Sequence, residues 1–337
     1  MTQKQNLTID DIARELGVSK TTISRAISGK GRIGAETRAR VLDYIEKCNY
    51  RPSAAAKGLA ESRTYNLALV LPKSFIKLDL PFVRMSMSAI CEEAFLHDYN
   101  VLVCLSTDEN PDSLLRTLDN RKVDAVILSR TVENDMLVDI LTKRGIPFAT
   151  MGSLPHNMRG VAAVEADHDQ VSGCRAFSKT FLTGAEGKIA FIGNDMNYMV
   201  NQSRMAGFRQ AVEELGIPEE RIYIRTGLCG EVDCIAVTDE LIRLGVRHIL
   251  TMDDDLCRFV LNRLKEHSIR IPEQVQVASL YDSERLQNYD PPVSALQFDA
   301  AELGQIACRE LLRCLKGESY HPTPILGYKI CLRGSTR

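Results

Sequence analysis

Thr8-Ile-Asp-Asp-Ile-Ala-Arg-Glu-Leu-Gly-Val-Ser-Lys-Thr-Thr-Ile-Ser-Arg25 holds two short helical patterns around one glycine. Ile9, Ile12, Ala13 and Leu16 fall at i, i+3, i+4 and i+7, one face of a helix. Thr8 stands before them with Asp11 three residues on, the capping-box spacing that satisfies free N–H groups at a helix start. Gly17 ends this helix, and Ser19 is placed to cap a second, whose apolar face is Ile23, Ala26 and Ile27. Gly29 and Gly31 break that one, and a third is predicted from about Glu36 to Cys48 with Val41, Leu42 and Ile45 inward. Two helices too short to be stable alone, joined across a tight glycine turn, read as a helix-turn-helix. On these residues alone, a three-helix protein-binding module is the alternative.

The second helix carries Lys20, Thr21, Thr22, Ser24 and Arg25 around its apolar stripe. Lysine and arginine donate to guanine O6 and N7, and threonine suits thymine or phosphate. A recognition helix reads bases mainly through its N-terminal residues, which places Lys20 and Thr21 foremost and Arg25 one turn later. Ser19, Thr22, Asn49 and Tyr50 are candidates for phosphate contacts that set register, and Thr8 and Ser24 complete the DNA-facing set. Charge agrees with this. Residues 1–64 hold 12 Lys/Arg and 7 Asp/Glu, whereas the whole chain has a net charge of −2, so a basic head precedes an acidic body.

With Asn49-Tyr-Arg-Pro52 added, the opening stretch is similar to the head of the lactose-repressor (LacI/GalR) family of bacterial transcription regulators, and the resemblance extends over almost the whole chain. It implies an α/β protein: an N-terminal helix-turn-helix head plus a two-lobed periplasmic-binding-protein-like core of doubly wound parallel sheets. The expected divisions are a DNA-binding head at 1–52, a hinge helix or linker at 53–63 and an effector-binding and dimerisation core at 64–337. Within the core, the N-subdomain is expected at about 64–164 and 294–325, and the C-subdomain at about 165–293 and 326–337. In Pro52-Ser-Ala-Ala-Ala-Lys-Gly-Leu-Ala60, the matching hinge helix makes Leu59 a minor-groove wedge and Ala56 its neighbour. Gly58 costs about 1 kcal/mol of helix propensity relative to alanine, which makes such a hinge easier to melt. A plain linker is the other reading of this segment.

From Asn66 onward, apolar runs alternate with amphipathic stretches. Strands are predicted at Leu67–Leu71, Val101–Leu105, Ala125–Ser129, Phe148–Met151, Val161–Val164, Ile189–Ile192, Ile222–Ile224, His248–Met252, Gln276–Leu280 and Ser294–Phe298. Intervening helices argue for parallel sheets covered on both faces, and ten strands suit two lobes better than one sheet. Ligands in such folds bind beyond the carboxyl ends of the strands. The residues just after them include Phe75, Phe82, Ser129, Tyr198, Arg204, Asp253, Asp282 and Phe298, the candidate effector site.

The resemblance sharpens some of these roles. Arg204-Met-Ala-Gly-Phe208 matches the family's ligand-arginine motif, and Tyr281-Asp282 its Tyr/Phe-Asp. Asp253-Asp254 matches the family's Asn-Asp, so an effector there has to donate to Asp253. Pro291-Pro-Val-Ser-Ala-Leu-Gln-Phe-Asp299 with Gly304 matches the returning crossover. Arg204 offers a fork of donors to sugar hydroxyls or a carbonyl, and Asp282 accepts paired hydroxyls. Asp254 and Asp255 read as a helix cap and a solvent-facing charge. Gly152 stands where many sugar-binding members have aspartate. Two acids against one arginine disfavour an anionic effector.

Other classes fare worse. No run of 18 apolar residues suggests a membrane span, and the polar N-terminus lacks a signal core. Six histidines show no metal-ligand spacing, and neither a nucleophile elbow nor a phosphate-cradling glycine loop is present, so no enzyme, metal or cofactor is expected. Ten scattered cysteines without a Cys-x-x-Cys pair read as packed thiols of a reducing compartment. The expectation is a cytoplasmic homodimeric regulator, a repressor of pseudo-palindromic operator DNA with a carbohydrate effector. A purine-type co-repressor and a sugar receptor without DNA function are the alternatives. No leucine heptad trails the core, so a dimer rather than a tetramer is expected.

Overall fold

The computed structural model describes residues 7–28, 31–48, 50, 58, 61–72, 81–107, 109–158, 163–318 and 325–336. The chain divides between Thr64 and Tyr65 into two units. Asn49, Ala56, Leu59 and Phe75 lie outside the described residues.

The head has three helices, α1 (Ile9–Leu16), α2 (Lys20–Ser28) and α3 (Ala35–Lys47). Both members of the capping box are made: the Asp11 N–H donates to Thr8 Oγ1 at 3.3 Å, and the Thr8 N–H donates to Asp11 Oδ2 at 3.0 Å. Gly17 closes α1 at φ +62°, a left-handed backbone that only glycine adopts without strain. Ser19 Oγ accepts from the Thr22 N–H at 3.1 Å and so caps α2. Ile12, Ala13, Ile23, Ala26 and Val41 form the small core, with Tyr44, Ile45 and Tyr50 packed around it. Leu42 is exposed, against expectation. The inward face of α3 runs through Val41, Tyr44 and Ile45, and Leu42 sits about 100° round the helix from Val41.

The core has two sheets. The first consists of β1 (Asn66–Leu71), β2 (Asn100–Leu105), β3 (Ala125–Leu128), β4 (Phe148–Met151) and β5 (Val164–Ala166), all parallel, in the order β2-β1-β3-β4-β5. Helices α4 (Pro81–Leu96), α5 (Asp112–Asp119) and α6 (Met136–Lys143) connect its strands. The second holds β6 (Lys188–Ile192), β7 (Ile222–Arg225), β8 (Val246–Thr251), β9 (Gln276–Ser279), β10 (Ser294–Gln297) and β11 (Lys329–Cys331), in the order β11-β10-β9-β8-β6-β7. Helices α7 (Gln170–Leu182), α8 (Met199–Glu214), α9 (Glu231–Arg243), α10 (Asp254–Glu266) and the short α11 (Glu284–Gln287) accompany it. The last helix, α12 (Ala300–Leu315), returns to the first lobe, where Leu303, Ala307, Cys308, Leu311 and Leu312 enter the core beside α4. A Cβ on Gly304 would stand 2.6 Å from the Ser86 carbonyl, so α4 and α12 meet backbone to backbone.

The structure departs from the sequence reading in three places. β10 hydrogen-bonds β9 and β11, so residues 294–297 belong to the second lobe, and the crossing falls at Phe298–Asp299 rather than before Ser294. β5 spans Val164–Ala166, starting at the last residue of the predicted strand and running two residues further, because its partners on β4 are Ala149 to Met151; residues 161 and 162 lie outside the described residues. The antiparallel β11 has no counterpart among the predicted strands: three residues carry too short a pattern to be read. Cys104, Cys174, Cys234, Cys257 and Cys308 are buried and free. Burial pushes the Cys174 and Cys308 thiols up to about 12, which keeps them as packed, unreactive groups.

Candidate DNA-binding face and effector cleft

On the head, Thr8, Ser19, Lys20, Thr21, Ser24 and Arg25 are exposed and Thr22 is half-buried. The Lys20 ammonium pairs with the Asp10 carboxylate, an exposed contact that a phosphate or base edge can replace at little expense. The Arg25 stem lies against Gly31, where an added Cβ would stand 3.2 Å from Arg25 Cδ. Tyr50 is half-buried on the head's core, its N–H donating to the Ile45 carbonyl at 3.0 Å.

In the core, both sheets have the order that reverses beside the first strand, with switch points at β1/β3 and at β6/β8. A cavity of about 180 Å³ lies where the segments following these strands face each other. Phe82, Ser129, Arg130, Met151 and Gly152 contribute to it from the first lobe, and Tyr198, Arg204, Asp253, Asp254 and Tyr281 from the second. Phe298 and His168 line it from the crossings. The lobes also join across its mouth: the Met199 N–H donates to the Thr131 carbonyl at 3.1 Å, and the Glu133 N–H to the Asn197 carbonyl at 3.0 Å. There the Arg130 guanidinium lies 3.5 Å from the centre of the Tyr198 ring.

Arg204 reaches the cleft because α8 buries Asn201, Arg204, Gly207, Phe208 and Ala211 at helical spacing. Its Nη1 donates to the Met252 carbonyl at 2.9 Å, and its Nε approaches Gln170 Oε1 at 3.4 Å. Asp253, not Asp254 or Asp255, caps α10: its Oδ1 accepts from the Leu256 N–H at 2.9 Å. Its Oδ2 accepts from Asn194 Nδ2 at 2.5 Å, and Asn194 Oδ1 accepts from Asn201 Nδ2 at 2.5 Å. Burial pushes Asp253 up to about 6, and Asp254 is raised for the same reason. Asp255 is largely covered and pairs with Arg285 and Arg258 rather than facing solvent.

Asp282 does not line the cavity. Arg333 donates to both its carboxylate oxygens, at 2.9 and 2.6 Å, and Gln287 Nε2 donates to Oδ2 at 3.1 Å. The assignment of Asp282 to ligand hydroxyls is therefore replaced by a structural one. Phe82, Ser129, Tyr198, Arg204, Asp253 and Phe298 all come together at the cavity. The sequence reading missed His168 and Gln170 as wall residues. Arg130 directly follows Ser129 at the end of β3, a position the strand-end rule covers; His168 and Gln170 lie on a crossing, which carries no such signal.

A helix-turn-helix unit and a two-lobed core with a ligand-sized cleft are the two parts a ligand-responsive DNA-binding regulator requires. Comparison with known proteins gives each part its relatives. Residues 8–53 match the bacterial regulatory proteins of the lacI family, and residues 187–336 match a periplasmic binding protein-like domain. Catabolite control protein A of Streptococcus mutans is 25% identical over 344 residues, covering 100% of both chains. The transcriptional regulator RafR of Escherichia coli is 31% identical over 219 residues, 63% of each chain. Among solved structures, the lac repressor dimer bound to operator and the anti-inducer ONPF superposes with a TM-score of 0.81 at 19% identity, covering 98% of this chain and 99% of that one. The CelR–cellobiose complex does so with a TM-score of 0.73 at 22% identity, covering 98% and 99%. The chain thus carries a lacI-family DNA-binding domain and a periplasmic binding protein-like domain, and the relatives it resembles are transcription regulators. Among the described residues, no helix is long and apolar enough to cross a membrane.

Proposed function

We propose that this protein is a cytoplasmic, homodimeric repressor whose affinity for a pseudo-palindromic operator is set by a small carbohydrate bound between the core lobes. Lys20 and Thr21 read bases in the major groove, Ser19 and Thr22 hold phosphates, and Leu59 is the minor-groove wedge. The observation that carries the effector reading is the cleft itself. Its aromatic walls, Phe82, Tyr198 and Phe298, suit the flat faces of a sugar ring, and its acids accept from hydroxyls. Its volume of about 180 Å³ lies below the roughly 300–1,000 Å³ of drug-sized sites, favouring a ligand of one ring. The relative described with cellobiose bound supports the same ligand class.

Dimerisation is supported by the apolar side chains exposed on α4 and the edge strand β2, namely Met85, Phe95, Leu96 and Val103. Exposed apolar side chains on an edge strand and on the helix beside it fit a partner surface better than water.

The test is a thermal-shift screen of the full chain against neutral sugars, sugar phosphates, nucleosides and nucleobases. A ligand at 100 times its dissociation constant stabilises by about 2.7 kcal/mol. A neutral sugar that shifts the wild type but not Arg204→Ala, and that changes operator affinity, supports the reading. A nucleobase hit assigns the co-repressor class instead, and silence across the panel overturns the effector assignment.

A further inference from the structure

His168 stands where the three crossings between the core lobes meet. It lies between β5 of the first sheet and α7 of the second lobe. It forms a parallel bridge with Leu326, on the return from α12 to β11. Around it, the Leu326 N–H donates to the Asp167 carbonyl and the Asp169 N–H to the Leu326 carbonyl, both at 2.9 Å. Its ring tilts against Phe298, on the remaining crossing, with centroids 5.0 Å apart. Asp299 lies beside the imidazole and favours its protonated form. This one residue thus contacts all three crossings, through its main chain at Leu326 and its ring at Phe298.

The same ring lines the cavity, and its Nε2 is buried without a hydrogen-bond partner among the described residues. A buried unsatisfied nitrogen is unfavourable, a penalty that a ligand removes on binding. Burial lowers the imidazole pKa to about 4, so the ring is neutral near pH 7 and one of its two nitrogens carries a lone pair. The charged groups around it are Arg204, Asp299 and Asp167, and Asp253 and Asp254 lie across the cavity. Arg204 is already engaged with the Met252 carbonyl.

We propose that His168 is an effector-binding residue that accepts, at Nε2, a hydrogen bond from a hydroxyl or amino group of the ligand and passes its presence to all three lobe crossings. This rests on the effector reading above and narrows it. The ligand has to donate at this edge of the cavity, so neutral or amino sugars fit, whereas a phosphate or carboxylate brings no proton to Nε2 and meets the acids.

The experiment compares the wild type with His168→Phe, which keeps a ring against Phe298 but removes the acceptor. Calorimetric titration uses glucose, galactose, glucosamine and maltose, the 6-phosphates of the three monosaccharides, and monodeoxy analogues of whichever sugar binds. The expected result is at least tenfold weaker binding by His168→Phe, with one monodeoxy analogue binding both chains equally, and a matching loss of the sugar's effect on operator affinity. Equal binding of the parent sugar by both chains, or a deoxy series that penalises both chains alike, overturns the role of His168 alone. Silence of the wild type overturns this inference and the effector reading together. Should His168→Phe fail to fold, His168→Asn replaces it under the same criteria.

Discussion

Arg333 and Asp282 form a two-pronged ion pair, with Nη1 and Nη2 donating at 2.9 and 2.6 Å to the two carboxylate oxygens across a separation of 51 residues. The pair ties the segment after β11 to the loop after β9, and Ser335 Oγ secures the same join by donating to the Val277 carbonyl at 2.6 Å. Asp282 is almost wholly enclosed, with its side chain 1% exposed. Removing the arginine leaves a buried charge without a partner. Arg333→Ala is expected to lower stability by about 3–5 kcal/mol, and Arg333→Met with Asp282→Leu by much less. Urea denaturation of both variants measures the difference; equal losses would place the effect in packing rather than in the unpaired charge.

Asp253 gives a pH signature. Its folded pKa, about 6, lies above the ordinary carboxylate value of 3.8. The neutral acid therefore stabilises the fold below about pH 4, and that contribution is lost as pH rises through 6. Asp253→Asn keeps an N-cap oxygen for α10 and removes the charge, while its single amide oxygen gives up the bond that Asn194 Nδ2 donates to Oδ2. It is expected to be more stable than the wild type at pH 7–8, by up to about 3 kcal/mol, and to converge with it near pH 4. Melting curves from pH 4 to 8 check this. A constant offset would show that Asp253 does not titrate in this range.

Gly207 sets how closely α8 approaches α7. An added Cβ would stand 2.5 Å from the Val171 carbonyl oxygen and 2.7 Å from Cys174 Cβ, and both neighbours are fixed in α7. Gly207→Ala is expected to destabilise the core by about 1–3 kcal/mol through overpacking, despite alanine's better helix propensity. A shifted denaturation midpoint with an unchanged slope is the readout. No loss would mean that the helices can slide apart freely.

Lys20 and Thr21 open α2 and are both exposed. Exchanging either for glutamine is expected to change the preferred bases at one or two positions in each half-site, by about 1–3 kcal/mol per position. Selection from a randomised operator library under fixed salt reads this directly. A uniform loss across all sequences would make them phosphate contacts instead.

The legibility of the chain differs between its parts for physical reasons. Thr8, Asp11, Gly17 and Ser19 perform as their spacing implies, because caps and left-handed turns are satisfied within three or four residues. Leu42 differs because an apolar residue beside a helical stripe is indistinguishable, in one sequence, from a member of it. In the cleft, Ser129, Tyr198, Arg204 and Asp253 are legible because each follows a strand, and parallel βα units put those ends on one side. Asp282 also follows a strand, yet its charge is taken by Arg333.

Short-range rules are enough to specify the helix-turn-helix, the two-lobed α/β core and most strand positions, since all of these follow from periodicity, capping and alternation along the chain. Long-range packing alone established which carboxylate faces the cavity, that β10 belongs to the second sheet and that His168 sits where three crossings meet. Those outcomes depend on partners tens to more than a hundred residues away. Whether a buried charge finds an arginine, or a buried nitrogen finds nothing but a cavity, is settled by packing between segments that no local pattern connects.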